Sequence, residues 1–212
     1  MGSVSVAYEK PANEPFVESD LLGWPWGIGR VELVDGLAFV HARHPEGFSV
    51  ADLDTIPDDG RRYELLDGVV VVSPSPGFPH QRAVLNLGVL LRVAEVGPQR
   101  ALVAPYDVPL ALARKFQPDV LVLPSREATV PMLCVEVLSP SGRRYDREIK
   151  RSAYETGGVA SYWLLDPAEP SIEVLELDSS RHYVLVASAQ GDEECAVVRP
   201  FPLTFSPATL LH

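Results

Sequence analysis

Apolar and polar positions run along this chain in blocks whose period changes several times, and those changes mark out its elements. The run Arg30-Val-Glu-Leu-Val-Asp-Gly-Leu-Ala-Phe-Val40 recurs 32 residues later as Arg62-Tyr-Glu-Leu-Leu-Asp-Gly-Val-Val-Val-Val72. In each copy an Asp-Gly dipeptide separates two β-prone runs and supplies the positive φ of a tight turn, which predicts two hairpins on one sheet edge. Between them, Phe48 to Ile56 reads as a short helix capped by Ser49 and closed by Pro57-Asp-Asp-Gly60. Ser73-Pro-Ser-Pro-Gly-Phe-Pro79 then breaks the chain, and the spacing of Val84, Leu87, Leu91 and Ala94 predicts a helix over His80 to Val96, ended by Gly97-Pro98. There the period changes again. Short strands are expected at Ala101 to Ala104, Val108 to Ala113, Val120 to Leu123 and Met132 to Leu138. A second helix follows over about Tyr145 to Thr156, stopped by Gly157-Gly158, and three more strands at Ser161 to Leu165, Ile172 to Leu177 and Tyr183 to Ala187. Hairpin, helix, strands, helix, strands is the order of an α/β domain with a mixed sheet. Residues 1–47 read as an extension carrying the first copy of the duplicated hairpin, and 48–212 as the domain.

Composition narrows the class. With 212 residues, 46% hydrophobic and 22% charged, the chain can build one real core and lies outside the disordered range. Its 29 acidic against 18 basic residues give a net charge of -11, which argues against coating a polyanion by bulk charge and leaves room for a local basic patch. The N-terminus has no apolar leader core and no window nears the roughly 18 apolar residues of a membrane span, so no membrane partner and a cytoplasmic location are expected. Cys134 and Cys195 lie far apart inside apolar runs and read as reduced core thiols, with one bridge as the alternative. No phosphate-binding loop, dinucleotide fingerprint or nucleophile elbow occurs, so small organic cofactors have no support. His41 and His44 stand at helical spacing within a strand-like hairpin, without the further ligands that zinc requires.

The candidate chemistry begins at Glu136, which interrupts Met132-Leu-Cys-Val-Glu-Val-Leu138, a run apolar on both faces and hence a central strand. An ionised carboxylate there must find a cation, a donor cluster or a bound metal. A structural pair with an arginine is the plainer alternative. Asp119 opens the neighbouring strand in Gln117-Pro-Asp-Val-Leu-Val-Leu123. Downstream, Arg143 to Arg151 holds five basic and two acidic residues, a local excess of +3, in which Arg143, Arg144, Arg147 and Arg151 form either a phosphate-facing patch or a solvated helix face. Asp146 and Lys150 stand four apart in the order that favours an ion pair. Tyr154, Tyr162 and Trp163 read as core or interface aromatics.

Taken together, Asp119, Glu136 and Lys150 resemble the constellation of the PD-(D/E)XK nuclease superfamily, with Pro118-Asp119 as the PD. The strings Tyr63-Glu-Leu-Leu-Asp-Gly68, Ser73-Pro-Ser-Pro76 with His80, Gln117-Pro-Asp-Val120, Val135-Glu-Val-Leu-Ser-Pro140, Asp146 with Lys150, and Tyr162-Trp-Leu-Leu-Asp-Pro167 look like the bacterial Uma-type putative restriction endonuclease family, over about residues 48–205. The resemblance implies a restriction-endonuclease-like fold, in which helices flank the mixed sheet, and metal-assisted phosphodiester hydrolysis, with DNA as the expected partner. Asp119 and Glu136 would then hold Mg²⁺ or Mn²⁺, and Lys150 would orient or help deprotonate the attacking water. Glu64 looks like the upstream acid of such a site, although Glu32 occupies the same place in the duplicate hairpin. His80 would approach phosphate or metal-bound water, or else be structural. One departure stands out: the simple pattern puts a lysine two residues after the second acid, where this chain has Leu138, and the Uma-type family is similar in carrying it on the following helix. The first 47 residues match nothing in the family core. A binding or assembly module on the same fold, a nuclease acting on RNA or on branched or damaged DNA, and a homodimer by analogy all stay open.

Overall fold

Each Asp-Gly dipeptide turns as its residue types require. Asp35 and Gly36 have φ of 52° and 82°, and Asp67 and Gly68 have 49° and 82°, the pair of positive angles of a type I′ hairpin turn. They close β1 (Gly29–Val34) on β2 (Leu37–Ala42) and β3 (Arg62–Leu66) on β4 (Val69–Ser73). The two hairpins share a sheet because β2 and β4 pair antiparallel, from Ala38 with Val72 to His41 with Val69. Arg114 and Lys115 extend the sheet beyond β3, opposite Leu66 and Leu65.

These elements come from a computed structural model that describes residues 14–21, 29–43, 45–56, 61–111 and 113–212. Its chain divides into two compact units, Met1–Ser75 with Leu112–Lys115, and Pro76–Ala111 with Phe116–His212. The sequence reading drew its boundary after residue 47; the compact division falls after Ser75, since the β2–β4 pairing ties both hairpins together. In the first unit a short α1 (Glu18–Leu21) precedes β1, and α2 (Val50–Leu53) carries the expected Ser49 cap as a full capping box with Asp52. Its core gathers Phe16, Ala38, Val40, Leu53, Leu65, Val70 and Val72. The expected Pro57 to Gly60 closure and His44 lie outside the described residues.

The second unit opens with α3 (Phe78–Ala94), which starts two residues earlier than its apolar spacing suggests because Pro79 is tolerated in a first helical turn. Along the chain follow β5 (Arg100–Val103), β6 (Val108–Ala111), β7 (Arg114–Phe116, whose first two residues belong to the first unit and join β3), β8 (Val120–Leu123) and β9 (Leu133–Val137). The expected second helix is two structures: a π-helical turn at Tyr145–Lys150 runs into α4 (Arg151–Gly157). Then come β10 (Ser161–Asp166), β11 (Ser171–Leu177), β12 (Tyr183–Gln190), and two strands that three-residue patterns do not reveal, β13 (Cys195–Val197) and β14 (Leu203–Phe205).

The main sheet has the order β12-β11-β10-β9-β8-β5, with β9 and β10 parallel and every other neighbouring pair antiparallel. A parallel pair needs a crossover, and the π-turn with α4 supplies it. One face carries the core: Ala83, Val84, Leu87 and Leu91 of α3 meet Val120, Val122, Leu133, Val135, Val137, Trp163 and Leu165, with Cys195, Phe201, Phe205 and Leu210 from the C-terminal segment. Both cysteines are buried and unbridged. Among the described residues no helix is long and apolar enough to cross a membrane. The arrangement is the mixed sheet flanked by helices that the sequence led us to expect.

The crossover ends at Gly158, whose φ of 78° closes α4 in the left-handed conformation while its N–H reaches the Glu155 carbonyl. A Cβ there would also come within 2.9 Å of the Arg181 guanidinium. Gly158→Ala is expected to lower unfolding free energy by about 1–2 kcal/mol, the cost of holding a side-chain-bearing residue in that region, as read by urea denaturation.

Candidate functional site

Strand parity decides which residues of β9 leave the hydrophobic core. Leu133, Val135 and Val137 pack with α3; the alternate positions, Cys134 and Glu136, therefore face the opposite side of the sheet, toward the π-turn and α4. Glu136 is 1% exposed. Lys150, at the end of the π-turn and 2% exposed, places Nζ 3.1 Å from Glu136 Oε1. The Tyr154 hydroxyl, one α-helical turn later, donates to the same oxygen at 2.9 Å. Asp146, four residues before Lys150, offers a second carboxylate to the ammonium at 3.4 Å, and the Tyr145 ring lies 5.5 Å from it. Asp146, Lys150 and Tyr154 thus share one face at a spacing of four.

The π-turn has a visible cause. In an α-helix the Asp146 carbonyl would take the N–H of Lys150; here it accepts the N–H of Arg151, five residues on, and the hydroxyl of Tyr162 at 2.9 Å. A side chain inserted into the ladder is a recognised source of such irregularity, and π-turns gather at functional sites. The electrostatic surroundings follow. Burial and then the charges of Glu136 and Asp146 hold the Tyr162 phenol well above its ordinary range, and burial with Glu136 does the same to the Cys134 thiol. Both groups stay protonated donors or neutral packing.

Asp119 sits just before β8, 2% exposed, and its backbone N–H donates to the Val135 carbonyl. Oδ2 accepts the Val137 N–H at 2.7 Å and lies 3.1 Å from His80 Nε2, which donates to it when the carboxylate is ionised. His80 comes from the first turn of α3 after the Pro-rich loop, and its other nitrogen, Nδ1, is buried with no hydrogen-bond partner among the described residues. The second unit therefore brings together Asp119 with His80, and Glu136 with Lys150, Asp146 and Tyr154, at neighbouring positions of adjacent strands.

Glu64 belongs to the first unit, fully buried on β3, whereas its duplicate Glu32 is 46% exposed and pairs with Arg30 and His41. The same residue type thus stands in two different environments in the two hairpin copies. The arginine patch looks different in three dimensions. Arg143 pairs with Asp166, Arg147 binds Glu173 at 2.9 and 3.0 Å, and Arg151 donates to the Tyr183 carbonyl at 3.3 Å. Only the Arg144 pair with Glu148 is wholly at the surface, with both side chains more than 60% exposed. Tyr154 is the residue whose part in the site sequence reading missed; its one available signal was a spacing of four from Lys150.

A family model described as a putative restriction endonuclease, Uma2, matches residues 50–210. The chain belongs to this family. The resemblance read from six short strings is thereby borne out. Among solved structures the chain is similar to a putative nuclease belonging to DUF820 from Anabaena variabilis ATCC 29413, with a TM-score of 0.60 at 18% identity, covering 77% of this chain and 97% of that one. At that identity the likeness is one of fold, and it establishes the restriction-endonuclease-like architecture. No curated protein matches.

In this Uma2 member the donor chemistry fits a hard divalent cation: two buried carboxylates from adjacent strands offer the oxygen ligands that Mg²⁺ and Mn²⁺ prefer, beside an orphaned histidine nitrogen. Among the described residues no three His, Cys, Asp or Glu side chains converge into a ready-made cage. The protein's own cation is what neutralises Glu136. Lys150→Met leaves two buried acids without it and is expected to cost about 3–5 kcal/mol of stability, whereas Arg144→Ala, at an exposed pair, costs less than about 1 kcal/mol. Urea denaturation of the two variants side by side checks the contrast.

Proposed function

We propose that this chain is a metal-dependent nuclease that hydrolyses phosphodiester bonds, with DNA as substrate. The observation that carries the reading is the buried Glu136–Lys150 pair at 3.1 Å beside Asp119, because a fully buried ion pair is a poor stabilising device and marks a site kept for chemistry. Membership of a family of putative restriction endonucleases supports it.

Asp119 and Glu136 are the residues that would hold Mg²⁺ or Mn²⁺. Such an ion, when bound, polarises a phosphoryl oxygen and lowers the pKa of water. Lys150, fixed between Glu136 and Asp146, orients the attacking water and offsets the negative charge that builds up on the phosphorus oxygens. His80 holds Asp119 in place, with Nε2 3.1 Å from Oδ2, and its buried Nδ1 has no protein partner among the described residues. Of the four arginines, Arg144 is the one that exchanges its partner for a phosphate at least cost. A homodimer, with one site per strand of a duplex, belongs to the same proposal; the exposed Val184, Leu185 and Val186 on edge strand β12 support an intermolecular contact.

One observation favours a second reading, a nucleic-acid- or protein-binding module on the nuclease fold: no three metal-ligating side chains converge among the described residues. Incubation of supercoiled plasmid, single-stranded DNA and RNA with Mg²⁺, Mn²⁺ or chelator separates the two. Metal-dependent cutting of DNA is expected, reduced about 100-fold or more in Asp119→Asn and Glu136→Gln, with sedimentation of the same preparation reporting the number of protomers. A wild-type protein that cuts nothing in either metal would leave the binding module.

A further inference from the structure

Helix α3 is apolar on two sides. Its inner face, Ala83, Val84, Leu87 and Leu91, packs on the main sheet, and a helix with one sheet to cover needs only that stripe. Yet Phe78, Leu85, Val89 and Val93 project from the opposite side, 73, 57, 55 and 81% exposed, and no charged residue interrupts the run from Ala83 to Leu91. We propose that this outer face binds a second copy of the chain, with the two α3 helices packed antiparallel about a two-fold axis at Val89. The inference goes beyond the nuclease reading and does not rest on it.

The stripe has the spacing of a self-complementary surface. A two-fold contact sets residue i against j and j against i, and Leu85 and Val93 stand four residues to either side of Val89. Antiparallel helices centred there lay Leu85 of each copy on Val93 of the other. The charges obey the same symmetry. Beside the stripe runs a groove of about 570 Å³, with Asn86, Val89 and Val93 on one wall and the exposed acids Asp192 and Glu194 on the other. The groove is already formed, because the Asn86 amide donates to the carbonyls of Leu210 and His212, each at 2.9 Å, and so moors the C-terminal segment to the helix. With Val89 on the axis, Arg92 of one copy, three residues after it, faces Asn86 of the other, three residues before it. An exposed cation is thereby delivered to the groove that carries the two acids. Apolar side chains meet apolar ones and arginine meets carboxylate in both halves of the contact, which fixes its register.

The test is sedimentation equilibrium of the full chain over a range of protein concentrations, with thermal melts of dilute samples to follow folding. Val89→Glu sets two carboxylates against each other on the axis and is expected to move self-association to about 30-fold higher concentration or more. Its melt stays at the wild-type value, since Val89 is half exposed. Arg92→Glu is expected to weaken association in the same direction, and adding Asp192→Lys and Glu194→Lys to it restores the contact. Leu185→Glu, on the β12 edge, leaves the α3 contact intact and serves as the comparison. A wild-type chain that stays monomeric at every concentration would overturn the proposal. So would an oligomer that Val89→Glu leaves unchanged while Leu185→Glu dissociates it, which would put the contact on β12.

Discussion

A carboxylate in the middle of a strand buried on both faces sets terms for everything around it. Glu136 has such a place in β9, and an ionised acid left there without a partner would cost about 3–5 kcal/mol, a large part of a domain's net stability. The chain answers with a buried lysine, a buried tyrosine hydroxyl and a second acid that shares the lysine. The charges of Glu136 and Asp146 push the Tyr162 phenol further up than burial alone, and Glu136 does the same to the Cys134 thiol. Such an arrangement is a weak source of stability.

The crossover between β9 and β10 is built around the same demand. It has to return the chain for a parallel strand and also present Lys150 and Tyr154 to Glu136. The π-turn meets both needs, and it is held by Tyr162, a residue of β10, the strand to which the crossover leads. The hydroxyl that keeps the turn irregular comes from the sheet that the turn helps complete, and it grips a backbone carbonyl, not one of the charged side chains. On the other face the packing is ordinary: α3 lays Ala83, Val84, Leu87 and Leu91 onto alternate strand positions.

How much of this was legible beforehand depended on how local the determining interaction is. Asp-Gly turns and the Ser49 cap are decided within a few residues, and both appear where the sequence puts them. Glu136 was conspicuous because a charge inside an apolar run is energetically anomalous whatever the fold. Lys150 was visible only through its spacing from Asp146 and through family resemblance, since no periodicity says which strand a helix will face. Tyr154 was taken as packing for the same reason. The partners of the arginines were not legible: an excess of +3 counts only near neighbours in sequence, while Asp166 and Glu173, which engage Arg143 and Arg147, arrive from β10 and β11. The π-turn, the three-residue strands β7, β13 and β14, and the pairing of one hairpin with the other all rest on tertiary contacts that leave too short a pattern, or none, along the chain.

The central claim is that the Asp146–Lys150–Glu136 cluster is kept for chemistry and is dispensable for folding. The direct measurement is the unfolding free energy of the triple variant Asp146→Asn, Lys150→Met, Glu136→Gln beside Lys150→Met alone, with Mn²⁺-dependent plasmid cutting assayed on the same samples. The account predicts that removing all three charges restores stability to within about 1 kcal/mol of wild type, while cutting is lost. A triple variant as unstable as the single one, or one that still cuts, would contradict it.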